Sequence, residues 1–71
     1  MATLSGIWTL VKTRNIGAHM LALSGRNNDG VEEFRISVDC LEQFRGSFHD
    51  CERVWRRWVR LLNLAAKREG K

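Results

Sequence analysis

A flat aromatic side chain with cations beside it offers one kind of chemistry: a platform on which a nucleobase stacks, with positive charge nearby for phosphates. Residues 5 to 14 read Ser-Gly-Ile-Trp-Thr-Leu-Val-Lys-Thr-Arg, and strand alternation puts Trp8, Leu10, Lys12 and Arg14 on one face. Arg26, in a turn-forming segment, and Arg35, on the polar face of a later strand, add charge to the same surface. A second basic group, Arg53, Arg56, Arg57 and Arg60, has helical spacing and falls opposite the apolar positions of its segment. Its internal i,i+4 pairs, Arg53 with Arg57 and Arg56 with Arg60, repel by a few tenths of a kcal/mol each, about 0.2 to 0.5, so helix stability alone does not favour them. Phosphate binding is one reading of this face, beside a solvated face or a membrane or protein contact.

Other chemistry lacks its residues. The chain has no Ser-His-Asp order, nucleophile elbow, Gly-rich phosphate loop or set-apart carboxylate pair, so we expect no enzyme. His19 and His49 read as ordinary strand or surface histidines. Cys40 and Cys51, if both on one helix, stand about 16 Å apart, beyond any disulfide. Without a C-x-x-C or H-x-x-x-H pair they form no zinc site; they read as small, buried, reduced hydrophobes, as in a cytoplasmic or nuclear protein. No cofactor and no metal is expected.

The positioning elements follow from the pattern. Seventy-one residues suit one domain, one short of core and in need of extra stabilisation. Net charge is +4, distributed as +2 over residues 1–30, −4 over 31–52 and +6 over 53–71. No apolar run approaches the roughly 18 residues of a membrane span. The opening residues do not resemble a secretion signal, and the first acid is Asp29, a scarcity that organellar transit peptides share. The localisation expected is intracellular, with an organelle left open.

Strands are expected over about 5–14, 18–24 and 31–38. Asn15-Ile16-Gly17 and the Asp29-Gly30 pair supply the turns, and Phe34, Ile36 and Val38 alternate with polar neighbours. From Cys40 the spacing changes to threes and fours through Leu41, Phe44, Phe48, Cys51, Trp55, Trp58 and Leu62. This predicts a helix over about 40–67, opened by an Asp39/Glu42 capping box, strained at Gly46 and followed by a basic tail over 67–71. The fold class is α+β, an antiparallel meander of three strands, or four if a short one hides between Asn27 and Glu33, then one long helix. Seven helical turns span about 40 Å and a seven-residue strand about 23 Å, so the apolar seam outruns the sheet. A second copy would cover the excess, giving a homodimer with Trp55, Trp58 and Leu62 at its centre.

The run Arg35-Ile36-Ser37-Val38-Asp39-Cys40-Leu41-Glu42-Gln43-Phe44-Arg45 resembles the last strand and helix start of two single-strand-binding groups, the purine-rich-element-binding (Pur-alpha) repeats and the transcriptional coactivator positive cofactor four. The likeness covers about a third of the chain and implies a curved four-stranded antiparallel sheet that binds single-stranded nucleic acid, with long helices supporting dimers. The expected function is sequence-tolerant binding of single-stranded DNA or RNA by a homodimer, as in transcription regulation. Trp8 would stack a base, and Lys12, Arg14, Arg26 and Arg35, with the helix arginines, would neutralise phosphates. The alternative is a small regulatory module that docks on a larger protein, or on a membrane surface, through its basic tryptophan-bearing helix.

Overall fold

The computed structural model describes residues 6–69; Ser5, where the first strand was expected to begin, and the last two residues of the basic tail lie outside them. Four strands, β1 (Thr9–Ile16), β2 (His19–Asn28), β3 (Val31–Val38) and β4 (Leu41–Gly46), form one antiparallel meander in the order β1-β2-β3-β4. One helix follows, α1 (Phe48–Glu69), so the fold is α+β as expected.

All three hairpins close through two-residue loops, the tightest connection antiparallel strands allow. Asp29 and Gly30 both adopt positive φ, 53° and 83°, and Asn27 Oδ1 accepts a 2.8 Å bond from the Gly30 amide. Gly17 turns the first hairpin at φ 60°, where a Cβ would also come within 3.0 Å of the Ala66 Cβ of α1. The third loop uses no glycine: Asp39 and Cys40 take φ of 52° and 69°. Asp39 is fixed there by its carboxylate, which takes the Met20 amide at 2.9 Å and stands 2.7 Å from His19 Nδ1. Cys40 is exposed and bears the left-handed conformation in solvent. That conformation disfavours a Cβ by about 1–2 kcal/mol, part of which glycine returns as chain entropy. Cys40→Gly is therefore expected to raise stability by about 0.5 to 1 kcal/mol; an unchanged or lower urea midpoint would contradict this.

The expected helix over 40–67 is corrected at its first third, because residues 41–46 are the fourth strand. The fourth strand is thus not hidden between Asn27 and Glu33, a stretch that forms the β2–β3 hairpin. The helix begins instead behind Ser47, whose Oγ accepts the Asp50 amide at 3.1 Å while its carbonyl accepts Cys51 N–H at 2.9 Å, an N-cap in place of the expected Asp39/Glu42 box. Gly46 ends β4 rather than straining a helix interior.

α1 covers one face of the sheet. Its buried Cys51, Trp55 and Leu62 pack on Ile16, Leu21, Leu23, Phe34, Ile36 and Val38, while Phe44, Val54, Trp58, Val59 and Ala66 close the margins. Phe34 meets Phe48 edge-on at 5.1 Å beside the start of the helix, and Ala66 reaches the β1–β2 turn, so α1 crosses the sheet diagonally. The opposite sheet face has no helix on it.

Candidate nucleic-acid interface

Residues opposite each other in neighbouring strands share a face, so the register sorts every strand residue. Leu21 pairs with Val38 and Leu23 with Ile36 on the helix side; Ser24 pairs with Arg35, Arg26 with Glu33 and Arg35 with Arg45 on the open side. On that open face Trp8 is surrounded by guanidinium groups. Arg35 lies 4.4 Å from the indole centroid, Arg26 4.6 Å and Arg45 5.3 Å. Each lies within the roughly 6 Å over which a cation is held by the ring's quadrupole.

Two carboxylates orient the arginines. Arg26 Nε donates to Glu33 at 2.8 Å, and Glu42 accepts from Arg45 Nη2 at 2.8 Å with Arg35 Nη1 at 3.7 Å. The Arg45 hydrogen bond, with the charges of Arg45 and Arg35, holds the Glu42 carboxyl below the usual carboxylate range, and Glu42 in turn raises Arg45. Among the described residues, Arg35 Nε is buried without a hydrogen-bond partner. The side chains remain 28% (Arg26), 33% (Arg35) and 44% (Arg45) exposed, enough for a ligand to reach them. The same face carries exposed Leu10 and Met20. The arrangement alternates flat π-surfaces and donors, which suits bases and phosphates together.

Of the residues expected at one site, Trp8, Arg26 and Arg35 come together and Lys12 and Arg14 do not. The β1–β2 register slips between Leu10 and Lys12, leaving Val11 as an extra residue, so Lys12 stands opposite Leu23 and Arg14 opposite Leu21, on the helix side. Lys12 Nζ lies 4.5 Å over the ring of Trp55. Arg45 was missed because its segment read as helix; its position one residue after Phe44, like Arg35 before Ile36, was the available signal.

Arg53, Arg56, Arg57 and Arg60 are all exposed on the solvent side of α1, away from the open sheet face. They line a hollow of about 370 Å³ with Leu61. A second hollow of about 300 Å³, between α1 and β4, is lined by Phe44, Asp50, Arg53, Val54 and Arg57.

The dimer centre expected from the sequence is corrected. Trp55 and Leu62 are 8% and 5% exposed, buried against the chain's own sheet, and only Trp58 is partly open. The burial of Trp55 likewise weighs against a helix that docks elsewhere through both tryptophans. Cys51 is buried as expected, but Cys40, expected to be buried as well, is exposed and lies in a turn rather than on the helix; burial pushes the Cys51 thiol up. No helix is long and apolar enough to cross a membrane, and no group of metal-binding side chains occurs among the described residues.

In comparisons with known proteins, no family model, no curated protein and no solved structure matches this chain.

Proposed function

We propose that the chain is a single-stranded nucleic-acid-binding module, sequence-tolerant and non-enzymatic, that binds on the open face of its sheet. The observation that carries this reading is the indole of Trp8 held among Arg26, Arg35 and Arg45 on the helix-free face. Such a cluster stands apart from the apolar core. Trp8 is outside the core, and ring–cation contacts at partly exposed positions are worth only about 0.5–1 kcal/mol each. For a ligand the same groups are well matched, because bases stack on indole and guanidinium planes alike and phosphates compete with Glu33 and Glu42 for the guanidinium donors. The order of four strands and a helix is also the architecture implied by the resemblance to the Pur-alpha repeats and positive cofactor four, and it supports the reading. The direct test is titration of labelled mixed-sequence DNA and RNA strands at low salt, where saturable binding that weakens with salt is expected. Absence of binding to both would end the proposal.

The homodimer expectation moves with the helix. Leu61 and Leu64, 48% and 53% exposed, follow the half-buried Trp58 at steps of three as the apolar stripe of α1 that the sheet leaves open, with Leu61 at the border between this stripe and the arginine-lined hollow. We expect sedimentation equilibrium to show a dimer that Leu61→Asp with Leu64→Asp converts to a folded monomer. A wild-type monomer at tens of micromolar, or a double variant that remains dimeric, removes this interface.

A further inference from the structure

We infer that a bound single strand does not stay on the open sheet face but passes over the β4 edge into the arginine-lined groove along α1. The inference rests on the proposed binding at Trp8 and extends it to a path.

β4 is an edge strand of six residues, and adjacent residues of a strand face opposite ways. Arg45 on the open face belongs to the Trp8 cluster. Its neighbour Phe44, opposite Ile36 on the helix face, lines the hollow that also contains Arg53 and Arg57. A single residue step thus joins the two basic surfaces at this edge. The two hollows share Arg53 and Arg57 and so lie side by side, and the second reaches Arg60, about 10 Å further along the helix axis from Arg53.

The distribution of ion pairs gives the groove its ligand. The arginines of the sheet face are already held by Glu33 and Glu42. Among the described residues no ion pair engages Arg53, Arg57 or Arg60, and Asp50 is the one acid in the groove's lining. The unneutralised charge that would release counterions from a phosphate backbone is therefore concentrated on the helix, while the stacking surface is on the sheet. At the opposite edge, β1, Lys12 is drawn over Trp55 and Leu10 and Val11 are exposed and apolar, which leaves Arg14 as the exposed cation of that strand and makes it the control for the path.

The test uses oligothymidylates of about 4 and about 16 nucleotides, the range one small single-strand-binding fold covers. Wild type is compared with Arg53→Ala/Arg57→Ala and with a charge-matched control at Arg14 and Lys67, both exposed and off the path. Single strands lose about 0.7 in the salt slope for each phosphate contact removed. The Arg53/Arg57 variant should lower the slope for the long strand by about 1.4, which weakens binding at about 0.1 M salt by tenfold or more, and leave the short strand unchanged. The control should change the long-strand slope much less. Equal effects of both variants, or equal effects on both strand lengths, would show a diffuse field and overturn the path. If Trp8→Ala weakens binding while Arg53→Ala/Arg57→Ala does not, the path fails and sheet-face binding stands; if neither does, the sheet-face reading itself fails.

Discussion

Trp8→Ala should weaken binding of single-stranded nucleic acid about tenfold to a hundredfold without unfolding the protein, since stacking on an aromatic is worth about 1 to 3 kcal/mol per base. The indole is also the ring around which three guanidinium groups gather, at 4.4, 4.6 and 5.3 Å from its centroid. Without it, Arg26, Arg35 and Arg45 remain charged and tethered to Glu33 and Glu42, but lose the ring they gather around. Salt dependence should therefore change little while affinity falls, which separates loss of stacking from loss of phosphate contacts. Trp8→Phe should recover part of the loss. Anisotropy of a labelled strand reads the result without relying on tryptophan emission. An affinity unaltered by Trp8→Ala, with circular dichroism unchanged, would mean that the ring is no part of the interface.

How much of this was legible in the sequence is decided by two bulges. β3 carries a clean alternation, and its limits, Val31–Val38, agree with those expected. The two edge strands each contain one extra residue, Val11 in β1 and Gln43 in β4, and an extra residue reverses the facing of all that follows. In β1 the reversal parts Trp8 from Lys12 and Arg14, which strict alternation had joined. In β4 it sets Leu41 and Phe44, three apart, on one face, so a strand imitates a helical step and runs without a break into the true helical spacing of Phe48, Cys51 and Trp55. No local residue announces either bulge; neither position is glycine, and each depends on pairing with a neighbouring strand. The same cause hid Arg45. Once residues 41–46 are a strand, the segment Arg35–Arg45 that carries the resemblance is a β-hairpin, with Arg35 and Arg45 directly opposite each other beneath Trp8.

The loss of those six residues from the helix also changes what the tryptophans do. The shorter α1 is 22 residues, about 33 Å, and lies diagonally across strands of six to ten residues, so most of its apolar seam finds cover within the chain. The need for a partner shrinks to the exposed flank at Leu61 and Leu64.

Trp55→Ala should accordingly be the most damaging single substitution in the helix, felt in folding and not only in assembly. The ring is 8% exposed, belongs to the cluster formed with Leu21, Leu23, Ile36, Cys51 and Leu62, and is capped by the Lys12 ammonium at 4.5 Å. Removing a buried tryptophan costs about 3 to 5 kcal/mol, and a chain of 71 residues has only about 4 to 10 kcal/mol of stability in all. The variant should lose about a third of its stability or more, and its urea midpoint should fall in proportion. Trp58→Ala, at a half-buried position, should lose less. Lys12→Met keeps the aliphatic stem against the ring and removes only the charge, at a cost of about 0.5 to 1 kcal/mol. The ordering Trp55, then Trp58, then Lys12 tests the rotation of α1 about its own axis. A helix turned to offer Trp55 to a partner would place the greater folding loss at Trp58, and the Trp55→Ala defect would then depend on protein concentration, which unfolding measured at two concentrations reveals.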